Sequence, residues 1–329
     1  MTVDMPDSPL NDPERHLQHS FRKSPVFNSL LVITVVLATY LPIRELPDRR
    51  LLPARQVELS LKPISLPPAA DGPLRIAGAW LMSAGDSRFG GLSALTVDGG
   101  QFLAVSDLGA VIRFDPPGKR PLHALLMDLR SGPGPAGRKK SRDAEALVVD
   151  PRGRGWWVGY EQRHSLWLYD RGFKRALAAI PVRRDWRDNR GIEALLADRD
   201  GLLALAENGR EAIRVDSAGL QSIDLSTGWE VADAATAPDS SAWLLLRSKG
   251  RRGIAQAVAP LIQTRRGYRI GKAWPLPKAA FDNYEGMAIR PSPGGGWRFW
   301  LVTDDGHRFM ARTLLVALDL DQAQENARR

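Results

Sequence analysis

The chain has 329 residues, of which 46 are Lys or Arg and 37 are Asp or Glu, and it contains no cysteine. The absence of cysteine excludes disulfides, thiolate metal sites and cysteine catalysis. The net charge of +9 suits an anionic partner, although most basic clusters fall in predicted loops, where solvated surface charge is the simpler interpretation. Because no nucleic-acid-binding motif or dense basic stripe accompanies that charge, we expect the partner not to be nucleic acid.

The first elements in chain order are a polar tail and an apolar segment. Residues 1–25 are polar, and we predict that they are disordered. Residues 26–43 carry no charged side chain and are just long enough for a helix to cross a bilayer. We expect a retained signal anchor, since the polar lead is long for a cleaved signal peptide and no clean Ala-x-Ala site follows. Residues 44–72 are rich in Pro, Leu and Arg, which is typical of a stalk.

Basic residues flank the apolar segment on both sides. Those before it are Arg15, Arg22 and Lys23, and those after it are Arg44, Arg49, Arg50 and Arg55. The positive-inside rule therefore does not decide on which face of the membrane the remaining chain lies.

A short motif recurs through the body of the chain. Its copies occupy residues 91–95, 143–147, 191–195, 231–235 and 284–288, and the aligned residues are Ser93, Glu145, Glu193, Asp233 and Glu285. Repeats of about 40–50 residues with many short strands are typical of a β-propeller. We predict an all-β propeller over residues 73–320, with residues 321–329 as a disordered tail. It has five or six blades, because the strand near residues 74–83 either closes the last blade or joins residues 56–66 in a sixth.

Each copy has the pattern of a hairpin, in which an apolar strand meets a turn and a second apolar strand ends on a polar residue. In an antiparallel hairpin, the first residue of one strand lies beside the last residue of its partner. The predicted pairs are Ser93 with Asp107, Glu145 with Glu161, Glu193 with Glu207 and Glu285 with Asp304. Like charges directly opposite are destabilising. A ring of such pairs at one mouth of the central channel therefore requires a counter-charge.

A bound cation is the simplest counter-charge, because Ca²⁺ takes clusters of carboxylate oxygens. Nearby basic residues, or raised pKa values that keep some carboxyl groups protonated, are the alternatives. Arg142 and Arg190 lie three residues before Glu145 and Glu193, so we expect both to reach the mouth and bind the phosphate of an ester. Glu–Arg pairs that only hold the blades in register remain a second interpretation.

Other hydrolytic chemistry has little support in the sequence. No Gly-x-Ser-x-Gly elbow and no P-loop is present. His307 lies three residues after Asp304 and is a candidate substrate-binding residue at the mouth.

The segments GGLSAL and VSDLG, DAEAL and GYE, NRGIEAL and LAEN, and NYEGMAI and LVTDDG follow in this order. Together they resemble the phytase-like esterase family, whose description is "esterase-like activity of phytase". The resemblance runs from about Gly90 to Leu320. It implies a propeller with a carboxylate-rich face and a phosphoesterase-like or phosphodiesterase-like activity. It also implies a periplasmic domain held at the inner membrane by residues 26–43.

Matched motif by motif, the family's functional acids correspond to seven residues of this sequence: Asp107, Glu145, Glu161, Glu193, Glu207, Glu285 and Asp304. The fourth copy departs from the pattern. Leu246, beside Arg247, stands where similar proteins carry an acid, and Asp233 stands where a Glu would fit. One side of the ring is thus less acidic, which argues against full metal loading.

These observations lead to three hypotheses. The first is a monomeric, membrane-anchored, metal-assisted hydrolase of a small phosphate ester, in which Glu145, Glu193 and Glu285 are catalytic and help to hold Ca²⁺. One acid outside the metal's ligands acts as the general base. The second is a propeller that binds an anionic ligand or an envelope partner without chemistry. The third is a calcium-dependent lactonase-like hydrolase, since other propellers use a carboxylate-held metal.

Overall fold

The structure is a computed structural model. It describes residues 51–69, 72–135, 138–182, 191–250, 253–278, 283–306 and 311–320. Within these ranges, no helix is long and apolar enough to cross a membrane. The predicted anchor at residues 26–43 and the predicted tails at residues 1–25 and 321–329 lie outside the described residues.

The described part of the chain is dominated by β-strands, which confirms the predicted all-β class. The strands are β1 Arg55–Pro63, β2 Leu74–Ala84, β3 Leu92–Asp98, β4 Gln101–Ser106, β5 Ala110–Phe114, β6 His123–Asp128, β7 Ala144–Val149, β8 Gly155–Tyr160, β9 Ser165–Asp170, β10 Ala176–Pro181, β11 Ile192–Ala197, β12 Gly201–Ala206, β13 Glu211–Asp216, β14 Gly219–Ser226, β15 Glu230–Thr236, β16 Ala242–Gly250, β17 Gly253–Thr264, β18 Gly267–Ile270, β19 Trp274–Pro275, β20 Asn283–Pro291, β21 Trp297–Asp304 and β22 Leu314–Leu320. A single short helix among the described residues, α1, spans Lys139–Arg142.

The strands form five antiparallel units of four. In chain order these are β3–β6, β7–β10, β11–β14, β15–β18, and a fifth unit of β20, β21, β22 and β2. The first strands of the units, β3, β7, β11, β15 and β20, contact one another in turn around a closed ring. This arrangement is propeller-like, and each predicted hairpin supplies the two innermost strands of one unit.

The N-terminal strands close the ring. β2 pairs with β22, with Ala79 opposite Val316, and so completes the fifth unit. β1 pairs with β2 through residues 59–63 and with β6 through residues 55–58, so it joins the fifth unit to the first. The strand near residues 74–83 therefore closes the last unit, which settles the alternative that the sequence left open. The predicted stalk at residues 44–72 contains β1, a strand of the propeller domain.

Aromatic side chains fill the space between neighbouring units. Trp243 of the fourth unit lies against Phe299 of the fifth, with ring centroids 5.1 Å apart. Trp300 of the fifth unit lies 5.0 Å from Phe102 of the first. These large buried surfaces hold the units in fixed positions around the ring.

Gly286 lets the innermost strand β20 approach β3 closely. A Cβ at this position would lie 2.6 Å from Val302 Cγ2 and 2.8 Å from the carbonyl carbon of Ala94. The second of these atoms belongs to the backbone and cannot turn away, so a side chain here would push the first and fifth units apart.

We therefore expect Gly286→Ala to destabilise the domain. Overpacking costs about 1–3 kcal/mol, which corresponds to a fall in melting temperature of about 2–4 °C for each kcal/mol. Gly294→Ala, in the turn of the same hairpin, is the matched control, because an added Cβ there meets no atom within 4 Å. Thermal unfolding followed by circular dichroism measures both variants, and equal melting temperatures would contradict the close approach.

Candidate functional site

A β-bulge lies near the start of every innermost strand. In each unit the pairing with the second strand shifts by one residue at this point. The bulged residues are Ser93, Glu145, Glu193, Ala232 and Glu285. Bulges re-aim side chains and are common next to functional sites. Here the bulge places three Glu side chains beside the ends of the second strands.

The second strands contribute the other set of side chains. Asp107, Glu161 and Glu207 directly follow their strands and Asp304 ends β21, whereas Arg247 takes the corresponding place within β16, which continues to Gly250. The acids that the sequence predicted to lie together thus lie at one end of the ring. We call this end the carboxylate mouth; its members are the nine acids Asp107, Asp143, Glu145, Glu161, Glu193, Glu207, Glu230, Glu285 and Asp304.

The pairing at the open ends of the hairpins differs from the prediction by two residues. The backbone N–H of Glu161 donates to the carbonyl of Asp143 at 2.9 Å, so Asp143, and not Glu145, lies directly opposite Glu161. The prediction of direct Glu145–Glu161 opposition was wrong for two reasons: the register near the turn, with Ala146 opposite Gly159, differs by one residue, and the bulge adds a second. The same shift adds Asp143 to the mouth, a residue that the sequence analysis missed although it begins the second copy of the motif.

Two groups of carboxylates in the mouth are spaced closely enough to hold a metal ion. They are Asp143 with Glu145 and Glu161, and Glu161 with Glu193 and Glu207. In each group the candidate ligand oxygens all lie within 4.8 Å of one another, and all five residues are buried. Four of the seven predicted metal ligands therefore come together, and Glu161 belongs to both groups.

The other three predicted ligands lie in the same mouth with different partners. Asp107 Oδ2 accepts a hydrogen bond from Lys139 Nζ at 2.9 Å. Glu285 accepts one from Arg247 Nη1 at 2.7 Å. Asp304 accepts one from the backbone N–H of Gly306 at 2.6 Å. The metal-ligand assignment of these three residues stays a prediction.

Arg247 takes the place of an acid in the fourth unit. It pairs with Glu230 across the β15–β16 hairpin, just as Asp304 pairs with Asn283 in the fifth unit. Its guanidinium lies 2.9 Å from Glu207 and 3.3 Å from Glu230, in addition to its contact with Glu285. The sequence analysis took Leu246 as the residue that replaces the acid of similar proteins. The strand register shows that Arg247 is the residue at that position, and Leu246 is a fully buried core residue.

Two lysines add positive charge to the mouth. Lys139, on α1, lies 2.9 Å from Asp107 and 3.4 Å from Asp143. Lys249 lies 3.4 Å from Glu207 and 3.2 Å from Glu230. Neither lysine was singled out in the sequence, because each comes near its acids only through the fold.

Asp233 does not occupy the position that the sequence alignment gave it. The bulge in β15 makes Ala232 the equivalent of Glu145 and Glu193, so Asp233 is displaced by one residue. Its carboxylate accepts hydrogen bonds from the backbone N–H groups of Ala234 at 2.7 Å and Met287 at 2.6 Å. Asp233 thus links β15 to β20 inside the ring. Burial raises its pKa well above the usual range, although these backbone donors oppose the shift.

The predicted phosphate-binding residues have different outcomes. The guanidinium of Arg142 is buried and donates to the carbonyls of Leu129 at 2.7 Å, Ser131 at 2.8 Å and Gly134 at 3.0 Å. These bonds hold the loop before α1, so the contacts of Arg142 support a structural role in place of the predicted phosphate contact. Arg190 and His307 lie outside the described residues.

Among the described residues of the mouth, acidic side chains outnumber basic ones, and most of the acids are buried. Burial, followed by the charges of Glu145 and Glu207, raises the pKa of Glu161 to about 7. Burial also raises the pKa of Asp143 to about 6, against the opposing effect of Lys139. The pKa values of Glu145 and Glu193 are raised well above the usual range by burial and then by neighbouring carboxylates.

These shifts predict a stability that falls as the pH rises. In this range the folded protein holds protons that the unfolded chain has released, so ionisation of the mouth favours unfolding. Without divalent cations, we expect the melting temperature to decrease between about pH 5 and about pH 8, since the pKa of Glu161 moves from 4.5 to about 7. Glu161→Gln should flatten this decrease, and Asp200→Asn, at an exposed position outside the mouth, should not. A melting temperature that rises over this range would contradict the assignment.

Several solved structures share a similar strand arrangement. Glutaminyl cyclase from Myxococcus xanthus is 12% identical, with a TM-score of 0.46, over 75% of this chain and 97% of that chain. The WD40 domain of Neurospora crassa Pan2 is 9% identical, with a TM-score of 0.41, over 77% and 98%. Kuenenia stuttgartiensis hydrazine synthase is 17% identical, with a TM-score of 0.37, and the match spans only 56% of that chain and 65% of this one. At these TM-scores the similarities carry no argument about activity.

A search of curated protein sequences gave no match. The family model described as "esterase-like activity of phytase" matches residues 87–307, which is more than half of the chain. This range contains all seven predicted metal ligands, from Asp107 to Asp304, and the resemblance seen in the sequence is confirmed. The chain belongs to the phytase-like family.

Proposed function

We propose that the protein is a metal-assisted hydrolase of small phosphate esters and that the carboxylate mouth is its active site. The observation that carries the proposal is a trio of buried acids, Glu145, Glu161 and Glu193. None of the three forms an ion pair with any residue that the structure describes. Membership of the phytase-like family supports the hydrolase class.

Glu161 fits a hard divalent cation such as Ca²⁺ together with the acids on either side of it. All the ligands are carboxylate oxygens, which is the donor type that Ca²⁺ prefers. Candidate ligand oxygens lie within 4.8 Å of one another in the group of Glu161 with Glu145 and Asp143, and in the group of Glu161 with Glu193 and Glu207. A cation also supplies positive charge to carboxylates that form no ion pair within the part of the chain that the structure describes. When bound, it would polarise a phosphoryl oxygen and offset the charge that develops on it.

Lys139 is suited to binding the phosphate group. Its side chain is half-exposed, and its ammonium is held at the mouth by Asp107 and Asp143. An ammonium has three N–H donors, so Lys139 retains donor capacity for a phosphate oxygen while it keeps its contact with Asp107. In this role Lys139 takes over the function that the sequence analysis assigned to Arg142.

Glu285 is suited to the role of general base. Its Oε1 accepts hydrogen bonds from Arg247 and Asn283, which fix the carboxylate in one orientation. Burial raises its pKa, and Arg247 opposes the shift. In the proposed reaction Oε2 takes a proton from the attacking water as the new oxygen–phosphorus bond forms, the phosphorus–oxygen bond to the alcohol breaks, and the leaving oxygen takes a proton from solvent. Arg247 positions Glu285 for this step.

The cellular setting is part of the proposal. Residues 26–43 anchor a monomeric domain in the inner membrane, with the propeller on the periplasmic side. The support for this setting is the apolar, uncharged sequence of the segment and the exported or membrane-anchored character that the resemblance implies.

Glu193→Gln tests the enzymatic proposal. The full chain is stripped with EDTA, Ca²⁺ is restored, and hydrolysis of bis-p-nitrophenyl phosphate is followed together with thermal unfolding. We expect the variant to lose activity by at least about 100-fold, since even groups that only hydrogen-bond to metal ligands contribute about 10–100-fold. Its melting temperature without metal should not fall, because the change replaces a buried ionisable carboxyl group by an uncharged amide of similar shape.

Asp200→Asn is the control for this experiment, since Asp200 is an exposed carboxylate outside the mouth. A Ca²⁺-dependent rise in melting temperature without hydrolysis of any ester would support a binding module instead of an enzyme. Hydrolysis of a lactone in place of the phosphodiester would support the lactonase-like alternative. No effect of Ca²⁺ on melting or activity would contradict a cation in the mouth.

A further inference from the structure

We infer that the mouth end of the propeller docks on the surface of a membrane that contains anionic lipid. The mouth end is the end of the ring that holds the carboxylate mouth and the chain connections around it. This role goes beyond the proposed hydrolysis, and it uses the anchor at residues 26–43 from the proposed cellular setting. Three features of the mouth end support it: the entry point of the chain, exposed apolar side chains and the sign of the exposed charges.

The N-terminal part of the described chain enters the domain at the mouth end. The backbone N–H of Leu52 donates to Asp128 Oδ2 at 2.7 Å, and Arg88 Nη1 donates to the carbonyl of Pro53 at 3.0 Å. Asp128 ends β6 at the mouth end, beside the start of β5. The linker between the predicted anchor and the described chain is residues 44–50, and it spans at most about 30 Å. An anchored chain therefore keeps the mouth end within that distance of the bilayer.

Large apolar side chains are exposed at the mouth end. Leu51 and Leu52 are 41% and 37% exposed, at the point where the entering chain is fixed. Ile254 is 43% exposed and lies on β17, in the part of the β16–β17 hairpin that continues past Arg247. Apolar side chains next to basic ones are a combination by which proteins bind the headgroup boundary of an anionic bilayer.

The exposed charges at the mouth end are of one sign. In the described connections at this end the acids are buried or half-buried, so every exposed charged side chain there is basic. Besides Lys139 and Lys249, these basic residues are Arg130, Arg138, Arg163, Arg210 and Lys278. The opposite end of the ring also presents exposed acids, such as Asp198, Asp200 and Asp239. Because basic residues near a membrane are attracted to anionic lipid, the mouth end is the better match for such a surface.

The test compares a polarity-sensitive fluorescent label at the two ends of the ring. The chain has no cysteine, so Ile254→Cys and Leu220→Cys each carry a single nitrobenzoxadiazole label. Leu220, at the start of β14, is 40% exposed at the opposite end, so it is the matched control. The full chain is reconstituted in nanodiscs of phosphatidylcholine, with or without phosphatidylglycerol. With phosphatidylglycerol, we expect the label of Ile254→Cys to emit at shorter wavelength and to be quenched by doxyl-labelled lipid, and the label of Leu220→Cys to show neither change.

Charge reversal of the docking is tested with two triple variants in the Ile254→Cys background. The mouth-end variant replaces exposed basic residues by glutamine at three positions: Arg163→Gln, Arg210→Gln and Lys278→Gln. The control variant does the same at the opposite end: Arg152→Gln, Lys174→Gln and Arg266→Gln. We expect the mouth-end variant to weaken the docking equilibrium by about 100-fold, since each basic residue near an anionic surface contributes about fivefold. The control variant should keep the response of the label.

Equal responses of the two labels would overturn the inference, as would a label on Ile254→Cys that ignores phosphatidylglycerol, or equal effects of the two triple variants. A chain that is not retained in the nanodiscs would contradict the anchor, and the labels are then read with added vesicles of the same lipids. Hydrolysis of soluble bis-p-nitrophenyl phosphate by the same samples tests the proposed function separately. Docking without hydrolysis supports the inference and contradicts the hydrolase, whereas hydrolysis without docking overturns the inference alone.

Discussion

Repulsion among carboxylates is the constraint on which the rest of this structure depends. Nine acids meet three basic side chains, Lys139, Arg247 and Lys249, among the described residues of the mouth. Two unit charges at about 4 Å interact by about 4 kcal/mol near a protein surface, so the imbalance is large compared with the stability of a domain. Three effects reduce the repulsion between the carboxylates: protonation, ion pairs with the protein's own basic side chains, and a bound metal ion. Each acts on a different part of the mouth.

The fold concentrates this charge through a repeated irregularity. The bulge at the start of each innermost strand brings Glu145, Glu193 and Glu285 to the ends of the second strands. Buried aromatic contacts between units and the closure by β1 and β2 keep the five units from moving apart under the repulsion. The free energy that the core contributes to folding therefore offsets the unfavourable burial of carboxylates in the mouth. Such local costs are common where a structure carries a functional site.

The sequence predicts the hairpin repeat and the acids at its ends, because strand periodicity and turn residues are local signals. It does not reveal the bulges, and a shift of one residue moves a side chain to the other face of a strand; this shift separates Asp233 from the mouth and places Arg247 in it. The role of Arg142 was missed because loop carbonyls, which also need hydrogen-bond partners, compete for its donors. For β1 a signal was present: the alternation of Val57, Leu59 and Leu61 is that of a strand, although the prolines and leucines around it favoured a stalk.

The proposed site is thus a mouth in which the protein supplies part of the positive charge and a bound metal supplies more. Anomalous diffraction from crystals of the protein soaked with Mn²⁺ or Tb³⁺ tests this most directly, because it locates each bound ion. The account predicts a strong peak in the mouth at about 2.3–2.6 Å from carboxylate oxygens of Glu161 and of at least one of its neighbours Glu145 and Glu193, with Arg247 still in contact with Glu207 and Glu285. No peak in the mouth, or a peak that displaces Arg247, would contradict it.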